Sequence, residues 1–176
     1  PPAPPLDSSA ASDVYKRQDL SHDYFHEITN KGNSVMRVIH YPPIKYHEEG
    51  ERAEAHEDIN LITLLIGGQQ AGLEILSKDK KWFRASVSNN VIICNIGDML
   101  QRLTNNFLKS TTHRVRAIGT EMASSRYSIP FFVHPNPDWF IKTLSNKIDE
   151  KNPNLYPEGI YAEDFLQESL NEIKLM

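Results

Sequence analysis

The chain has 176 residues, of which 39% are hydrophobic and 24% charged, proportions typical of one globular domain with a sizeable core. Its formal net charge of -4 argues against a nucleic-acid surface, which needs an excess of Lys and Arg. No apolar run reaches the roughly 18 residues of a membrane span, and the single cysteine, Cys94, excludes an internal disulfide and favours a reducing, cytoplasmic location.

The first 18 residues differ in composition from the rest of the chain. They are rich in Pro, Ala and Ser and have no periodic apolar face, so we expect residues 1–18 to be a disordered tail or a non-native remnant. No basic segment followed by an apolar one stands at the start, which argues against a signal peptide. Residues 19–176 are therefore the predicted folded domain. Its first element is a predicted short helix over residues 19–30, where apolar residues recur at helical spacing.

Short runs of β-branched and aromatic residues, separated by turn residues, predict a β-rich core. The predicted strands are residues 34–41, 56–66, 73–77, 82–86, 91–96, 111–118 and 126–133. Residues 44–54 are polar and predict a loop, whereas the apolar run within 56–66 predicts a strand covered on both faces. The two predicted strands that flank the polar turn at 78–80 indicate a hairpin. Many short strands are typical of a sandwich or barrel, and within that class the jelly roll hosts internal metal sites.

Three further helices are predicted in the second half of the chain. Residues 99–104 form a short helix with Asp98 as a candidate N-cap. A second short helix is expected around residues 140–148. Residues 163–174 carry one apolar stripe, which we expect to pack on the sheet rather than to bind a partner.

Two histidines and an aspartate form the candidate metal site. His56 and Asp58 are two residues apart at the start of a predicted strand, where residues i and i+2 point to the same face and can reach one ion. His113, on another predicted strand, can supply a third ligand. Two imidazoles and one carboxylate, with other coordination positions open, are typical of non-haem Fe(II) oxygenases. Taken alone, a pair such as His56 and Asp58 is more often a surface salt link than a metal site. A single histidine such as His113 is more often a hydrogen-bonded residue of the core.

Arg126 and Ser128 form a second pair on one face of a predicted strand. A guanidinium group binds a carboxylate through two parallel charge-assisted hydrogen bonds, and a hydroxyl can add a third. The alternative is an arginine that extends into water at a strand edge. The apolar residues 129–132 that follow argue instead for burial.

Five blocks of the sequence together resemble one known family. They are HEDINLITLL, GLEIL, VIICNIGDMLQRLTNN, STTHRV and RYSIPFF. In this order and spacing they resemble the catalytic domain of the isopenicillin N synthase-like family of Fe(II)- and 2-oxoglutarate-dependent oxygenases, from about residue 19 onward. The resemblance implies a double-stranded β-helix, a jelly-roll variant, with flanking short helices. Family members are usually longer at the N-terminus, so we expect this chain to be a fragment.

Carried over position by position, the resemblance implies that His56, Asp58 and His113 bind Fe(II). It implies that Arg126 and Ser128 hold the distal carboxylate of 2-oxoglutarate, the cosubstrate, whose keto acid end chelates the iron. The activity implied is oxidation of a small-molecule substrate by dioxygen, with hydroxylation as the default outcome and release of succinate and carbon dioxide.

Several other positions match the family less specifically. Tyr41 matches a family tyrosine that reaches the cosubstrate. The alternative is that Tyr41 only lines the wall of the cavity. Plant members often carry Asn two residues earlier, where this chain has Ile39, so the local hydrogen bonding must differ. Asn60 is expected to face the cavity. Turn and capping roles are the preferred explanation for three polar positions, Asn95, Asp98 and Asn105.

Two other functions stay open from the sequence. The block HEDINLIT is close to that of isopenicillin N synthase itself, an oxidase that uses no 2-oxoglutarate and whose Arg-x-Ser pair holds the substrate carboxylate. Succinate release coupled to oxygen uptake would separate an oxygenase from such an oxidase. The other alternative is a non-catalytic metal-binding fragment, which would bind iron without turnover.

Overall fold

The computed structural model describes residues 20–44, 51–66, 72–85, 91–117 and 119–172. The strands in these ranges are β1 (Val35–Met36), β2 (Ile39–Tyr41), β3 (Glu51–His56), β4 (Ile62–Ile66), β5 (Leu73–Leu76), β6 (Trp82–Arg84), β7 (Ile92–Ile96), β8 (His113–Arg116), β9 (Arg126–Val133), β10 (Phe140–Ile141) and β11 (Ile160–Tyr161). The α-helices are α1 (Tyr24–Thr29), α2 (Asp98–Leu103) and α3 (Ala162–Glu172), and two 3-10 helices cover Gly119–Ala123 and Ser145–Lys147.

Two antiparallel sheets form the centre of the fold. One has the strand order β1-β9-β4-β7, with β2 also paired to β9, and the other has the order β3-β8-β5-β6. Strands distant in sequence are neighbours in both sheets, as in a jelly roll. A cavity is lined by residues of both sheets, so it lies between them. This architecture confirms the predicted mainly β, jelly-roll fold.

Strand β9 shows how the sequence places side chains in that cavity. Successive residues of a strand point to opposite faces, and Arg126 and Ser128 are buried while Tyr127 between them is exposed. Arg126 and Ser128 therefore point inward, as predicted. The opposite face of this sheet is apolar and partly exposed, with Ile66 and Ile92 paired across β4 and β7.

Helices and short strands close one end of the sandwich around a hydrophobic cluster. Its buried residues include Ile28 of α1, Met99 and Leu103 of α2, and Ile141 of β10. The apolar stripe of α3 packs against this cluster, through residues such as Phe165. The C-terminal helix thus packs within the chain, as predicted, on a cluster to which the other helices, β10 and the sheet residues Ile62 and Ile96 contribute. No helix in the described part of the chain combines the length and the apolarity needed to cross a bilayer.

The region before the candidate metal site differs from its prediction. Strand β3 lies where the polar run at 44–54 predicted a loop, and the predicted strand at 56–66 is interrupted because 57–61 is irregular. Strand β3 is an edge strand of its sheet. Edge strands often carry charged residues, so the sequence ERAEAH gives no hydrophobic signal of a strand.

Other boundaries also need correction. The predicted strand at 34–41 is divided into β1 and β2, and the predicted helix around 140–148 is the two-residue strand β10 followed by a 3-10 turn. Asp98 is the first residue of α2 and makes no side-chain cap, since the N-cap position belongs to Gly97. The β5–β6 hairpin, β7 and α3 are confirmed. The predicted tail at 1–18 lies outside the described residues, as do the ends of the elements predicted at 82–86, 111–118 and 163–174.

Candidate active site

The structure brings His56, Asp58 and His113 together at the edge of the cavity. His56 and His113 are register partners across β3 and β8, and their ring centroids are 4.4 Å apart. The Oδ1 atom of Asp58 lies 3.9 Å from Nε2 of His56 and 3.9 Å from Nε2 of His113. One ligand atom from each residue lies within 4.8 Å of the others. These three residues could therefore bind one metal ion.

Asp58 reaches this position by a route that the sequence did not predict. It lies beyond the end of β3, in the irregular segment 57–61, so the expected i, i+2 alternation on one strand is wrong. The amide of Asp98, at the start of α2, donates to the carbonyl oxygen of Asp58 at 2.8 Å. A Cβ atom on Gly97 would lie 2.1 Å from the carbonyl oxygen of Asn60, so only glycine allows this close approach. The start of α2 therefore holds the segment that carries Asp58.

Backbone carbonyls set the tautomer of both histidines. Nδ1 of His56 lies 2.6 Å from the carbonyl oxygen of Glu54, and Nδ1 of His113 lies 3.0 Å from that of Thr111. A carbonyl oxygen only accepts hydrogen bonds, so each Nδ1 carries the hydrogen and donates. Each neutral ring then keeps a lone pair on Nε2, the atom that faces Asp58, as in histidines that bind metals.

The carboxylate of Asp58 is oriented by a buried hydrogen-bond chain. Thr63 donates its hydroxyl hydrogen to Oδ2 of Asp58 at 2.6 Å, and the amide nitrogen of Asn60 donates to the Thr63 hydroxyl at 2.9 Å. Oδ1 of Asp58 is left to face the two imidazoles. The sequence reasoning missed Thr63, although a polar residue within the apolar run ITLLI could have indicated it.

The donor set fits a divalent metal ion such as Fe(II). Neutral imidazole nitrogens suit iron, and the carboxylate adds one charged oxygen. At 3.9 Å, neither His56 nor His113 is hydrogen-bonded to Asp58. Asp58 and His113 are buried, whereas the side chain of His56 is 47% exposed, so the site opens to solvent beside His56.

Arg126 is a buried cation without an anionic partner among the described residues. It is only 5% exposed, and its Nε and Nη1 atoms are buried without a hydrogen-bond partner. Burial lowers the pKa of Arg126; the neighbouring Tyr41 raises it, and Arg52 lowers it. An arginine side chain still stays protonated in proteins. An unpaired buried charge is costly, so the site fits a ligand with a carboxylate.

The other predicted ligand-binding residues lie beside Arg126. Ser128 is buried on the same face of β9, and Tyr41 is the register partner of Arg126 across β2 and β9. The guanidinium carbon of Arg126 lies 5.3 Å from the centroid of the Tyr41 ring, within the range of a cation–π contact. Ile39 pairs with Ser128 and offers no hydrogen bond. The structure thus gathers all three residues at one part of the cavity.

The cavity joins the histidine cluster to Arg126. It has a volume of about 80 Å³. Its lining consists of Ile39, Tyr41, Ala53, His56, Asp58, Thr63, Leu65, Leu73, Asn95, His113, Val115, Arg126, Ser128, Pro130 and Phe132. Asn60 is absent from this lining, contrary to expectation, and Asn95 belongs to it instead of forming a turn or cap. Asn105 has a structural role, as predicted, because its side chain bonds backbone atoms of residues 147, 153 and 155.

The family model of the 2OG-Fe(II) oxygenase superfamily matches residues 32–135, more than half of the chain. The chain belongs to this superfamily. The superfamily takes its name from its metal, Fe(II), and its cosubstrate, 2-oxoglutarate. The residues matched include the candidate metal site and Arg126, so the superfamily assignment and the site geometry concern the same part of the molecule.

Individual relatives agree with the superfamily assignment. The chain is 32% identical over 168 residues to the proline hydroxylase buaE of Petromyces alliaceus, covering 90% of this chain and 53% of the relative. It is 31% identical over 153 residues to the 2'-deoxymugineic-acid 2'-dioxygenase of Hordeum vulgare, covering 87% of this chain and 43% of the relative. The chain therefore spans about half the length of these curated relatives.

Solved structures of superfamily members share the fold. A 2OG-Fe(II) oxygenase family protein from Caulobacter crescentus superimposes with a TM-score of 0.81 at 48% identity, covering 88% of this chain and 50% of that one. A full-length protein of Neurospora crassa, solved in complex with alpha-KG, gives a TM-score of 0.75 at 30% identity, covering 85% of this chain and 48% of that one. The fold is thus the double-stranded β-helix of 2-oxoglutarate oxygenases.

Proposed function

We propose that this chain is the catalytic part of an Fe(II)- and 2-oxoglutarate-dependent oxygenase that oxidises a small molecule. One observation carries the proposal: the buried, unpaired guanidinium of Arg126 lines the same cavity as the cluster of His56, Asp58 and His113. A metal site alone fits many activities. A metal site with a carboxylate anchor in one cavity fits a cosubstrate that bridges the two.

The three residues of the cluster would hold the iron. His56 and His113 would bind through Nε2, since their Nδ1 atoms donate to backbone carbonyls, and Asp58 would bind through Oδ1. Three protein ligands leave coordination positions for the keto acid and dioxygen. Bound Fe(II) and 2-oxoglutarate supply the oxidising chemistry, with succinate and carbon dioxide as by-products. The protein fixes the ligands and leaves these positions open.

Arg126 and Ser128 would bind the distal carboxylate of 2-oxoglutarate. The Nε and Nη1 atoms of Arg126 are buried without a partner, so the guanidinium has donors available for a ligand. A guanidinium group binds a carboxylate through two parallel hydrogen bonds, which always include Nη2. The Ser128 hydroxyl, two residues along the same strand face, can donate a third. Tyr41 would support the guanidinium through its ring and close one wall of the cavity.

The remaining walls would exclude water from the reaction. The side chains of Leu65, Leu73 and Val115 line the cavity, with Pro130 and Phe132 of β9. An apolar wall strengthens electrostatic interactions inside the cavity and limits side reactions with water. A substrate would approach from the solvent side, where His56 is exposed. The default reaction is hydroxylation of a C–H bond.

Residues 19–176 would then form the dioxygenase domain, and residues 1–18 a tail or non-native remnant. Small-molecule ligands also occur among the structural relatives, since another structure of the Neurospora crassa protein contains thymine. Binding residues are often carried by loops, and loops vary more between relatives than the scaffold does. The proposal for this chain is therefore limited to the class of small-molecule substrate, with dioxygen as co-reactant.

The decisive experiment separates binding from turnover. Fe(II) and 2-oxoglutarate are titrated anaerobically into the purified chain, oxygen is admitted, and succinate is measured together with oxygen uptake. We expect one Fe(II) per chain, iron-dependent 2-oxoglutarate binding, and succinate formation. Oxygen uptake without succinate would point to an oxidase like isopenicillin N synthase. Iron binding without either product would indicate a non-catalytic domain.

A His113→Ala variant tests the assignment of the metal ligands. We expect it to lose stoichiometric Fe(II) binding, because one of three protein ligands is gone. His40→Ala is a matched control, since His40 is exposed and stacks on Tyr127 outside the cavity. Equal Fe(II) affinity of His113→Ala and the unmodified chain would remove His113 from the site.

A further inference from the structure

Asn95 carries an unused hydrogen-bonding group in the cavity. It lies on β7, is only 9% exposed, and lines the cavity between the two sheets. Its carboxamide forms no hydrogen bond within the part of the chain that the structure describes. Buried polar side chains in proteins are nearly always hydrogen-bonded. Because Asn95 lines the cavity, its carboxamide is available to a ligand bound there.

The register of the sheet places Asn95 beside the metal cluster. Asn95 pairs with Thr63 across β7 and β4, and the Thr63 hydroxyl donates to Asp58. Directly opposite residues of an antiparallel pair have Cβ atoms about 4.5–5.5 Å apart. Thus only the side chain of Thr63 links Asn95 to the carboxylate of Asp58. Arg126 lies elsewhere in the cavity, paired with Tyr41.

The polar side chains that line the cavity can be assigned one by one. They are Tyr41, His56, Asp58, Thr63, Asn95, His113, Arg126 and Ser128. Three form the metal cluster, Thr63 orients one of them, and Tyr41, Arg126 and Ser128 form the anchor for the distal carboxylate. Among these described residues only Asn95 is left without a role. The anchor accounts for one end of a dicarboxylate, and Asn95 is the remaining polar side chain of this lining that could donate to the other end, next to the metal.

We propose that Asn95 donates a hydrogen bond from its carboxamide nitrogen to the keto acid end of 2-oxoglutarate. This inference rests on the proposed function. It means that the cosubstrate is held at both ends, by Asn95 beside the metal and by Arg126 at the distal carboxylate. The first hydrogen bond would also restrict the rotation of the keto acid end.

Asn95→Leu, which has a similar volume, tests this role through binding. The Fe(II)-loaded chain is titrated anaerobically with 2-oxoglutarate and with pyruvate, which has a keto acid end but lacks the distal carboxylate. We expect Asn95→Leu to weaken both ligands by about tenfold, the effect of one hydrogen bond to a charged group. Arg126→Met should weaken only 2-oxoglutarate. Fe(II) affinity should stay unchanged in Asn95→Leu, because Asn95 is not a metal ligand.

A second variant separates hydrogen bonding from packing. Asn95→Asp keeps the shape but replaces the donor with a negative charge, so we expect a larger loss of affinity for both keto acids than in Asn95→Leu. Unchanged affinity for pyruvate in both variants would overturn the inference. If the unmodified chain loaded with Fe(II) bound neither keto acid, the proposed function itself would fail, and this inference with it.

The thermal midpoint of unfolding distinguishes a purely structural role. The Asn95 carboxamide has no partner in the described protein, so we expect Asn95→Leu to leave the ligand-free midpoint unchanged or to raise it. A lower midpoint together with unchanged keto acid affinity would assign Asn95 to stability alone and would contradict the inference.

Discussion

Thr63 donates a hydrogen bond to Oδ2 of Asp58 at 2.6 Å. Asp58 lies in the irregular segment 57–61, between β3 and β4. Thr63 is fixed by β4, whereas Asp58 lies on the irregular run that precedes it. The hydrogen bond therefore connects the rigid sheet to the carboxylate that faces the two imidazoles. Asn60 extends the connection by donating to the same hydroxyl.

Thr63→Val should weaken Fe(II) binding without removing any ligand. The two side chains are similar in shape, but valine cannot donate to Asp58 and leaves the Asn60 amide without its acceptor. Loss of such an outer hydrogen bond typically costs about 10–100-fold in metal affinity. An Fe(II) titration measures the change. Thr112→Val is the control, because its hydroxyl bonds Glu57 rather than a member of the cluster, and iron affinity should be unaltered there.

The sequence predicted the members of the site better than the backbone that carries them. Alternation along β9 correctly placed Arg126 and Ser128 on the inner face, because β9 is a regular strand. The apolar residues 129–133 that end this strand also indicated that it is partly buried. The same alternation predicted that Asp58 belongs to the site, but Asp58 lies in an irregular segment rather than on a strand. Its position depends on amides at the start of α2, forty residues later in the chain, and no local pattern at 56–58 contains that contact.

Thr63 and Asn95 show a second limit of sequence reasoning. A polar residue inside an apolar strand can face solvent, a partner strand or a cavity, and only the register decides among these. Thr63 and Asn95 are register partners across β4 and β7, so they share one face of the sheet, and that face is the wall of the cavity. Strands β10 and β11 were missed for a different reason: with two residues each, they are too short to show a period.

Arg126→Ala should weaken 2-oxoglutarate binding and leave Fe(II) binding intact. The cosubstrate would keep its keto acid contacts but would bury a carboxylate without a partner, at a cost of about 2 kcal/mol or more. Calorimetric titration with each ligand gives both affinities. Arg84→Ala serves as the control, since Arg84 is exposed and pairs with Glu121. An unaltered dissociation constant for 2-oxoglutarate in Arg126→Ala would refute the anchor.

Removing Arg126 should weaken 2-oxoglutarate binding but should not lower the stability of the ligand-free protein. The guanidinium is buried without an anionic partner among the described residues, so the ligand-free chain bears the cost of its desolvation. We expect Arg126→Ala to have an unchanged or higher unfolding midpoint than the unmodified chain. A variant that binds 2-oxoglutarate poorly and is also less stable would instead suggest that Arg126 supports the sheet.

Gly97→Ala should lower Fe(II) affinity and stability, although Gly97 does not line the cavity. The added methyl group would lie 2.1 Å from the carbonyl oxygen of Asn60, so the segment that carries Asp58 must shift. Overpacking of this kind costs about 1–3 kcal/mol of stability, and Fe(II) affinity should fall with it. Denaturant unfolding and Fe(II) titration measure the two effects.

Gly119→Ala is the matched control for that substitution. Gly119 has a positive φ of +61°, but no atom lies within 4 Å of the position of its Cβ. The cost there is limited to backbone strain, about 1 kcal/mol. Iron affinity should not change in Gly119→Ala. Equal losses of iron affinity in the two variants would show that the contact with Asn60 is not the cause.

Asp98 should make the metal-free chain less stable as the pH rises. Burial raises the pKa of its carboxyl, a hydrogen bond with Ser110 opposes this, and the nearby charges of Glu57 and Asp58 raise it further. A carboxyl with a higher pKa in the folded state than in the unfolded state binds its proton more tightly when folded. Its stabilising contribution is therefore complete below the unfolded pKa of about 3.9 and is lost as the pH rises through the folded pKa.

Asp98→Asn removes this pH dependence while keeping the shape of the side chain. With a chelator present, we expect the variant to have a higher free energy of unfolding than the unmodified chain at pH 7, because a partly buried charge with an unpaired Oδ1 atom is gone. The difference should close as the pH falls below about 4, where the carboxyl becomes protonated in both states. Asp79→Asn, at an exposed turn, should show no such trend. A difference that grew at low pH would contradict this origin, since it would require the ionised form to be the one that the fold stabilises.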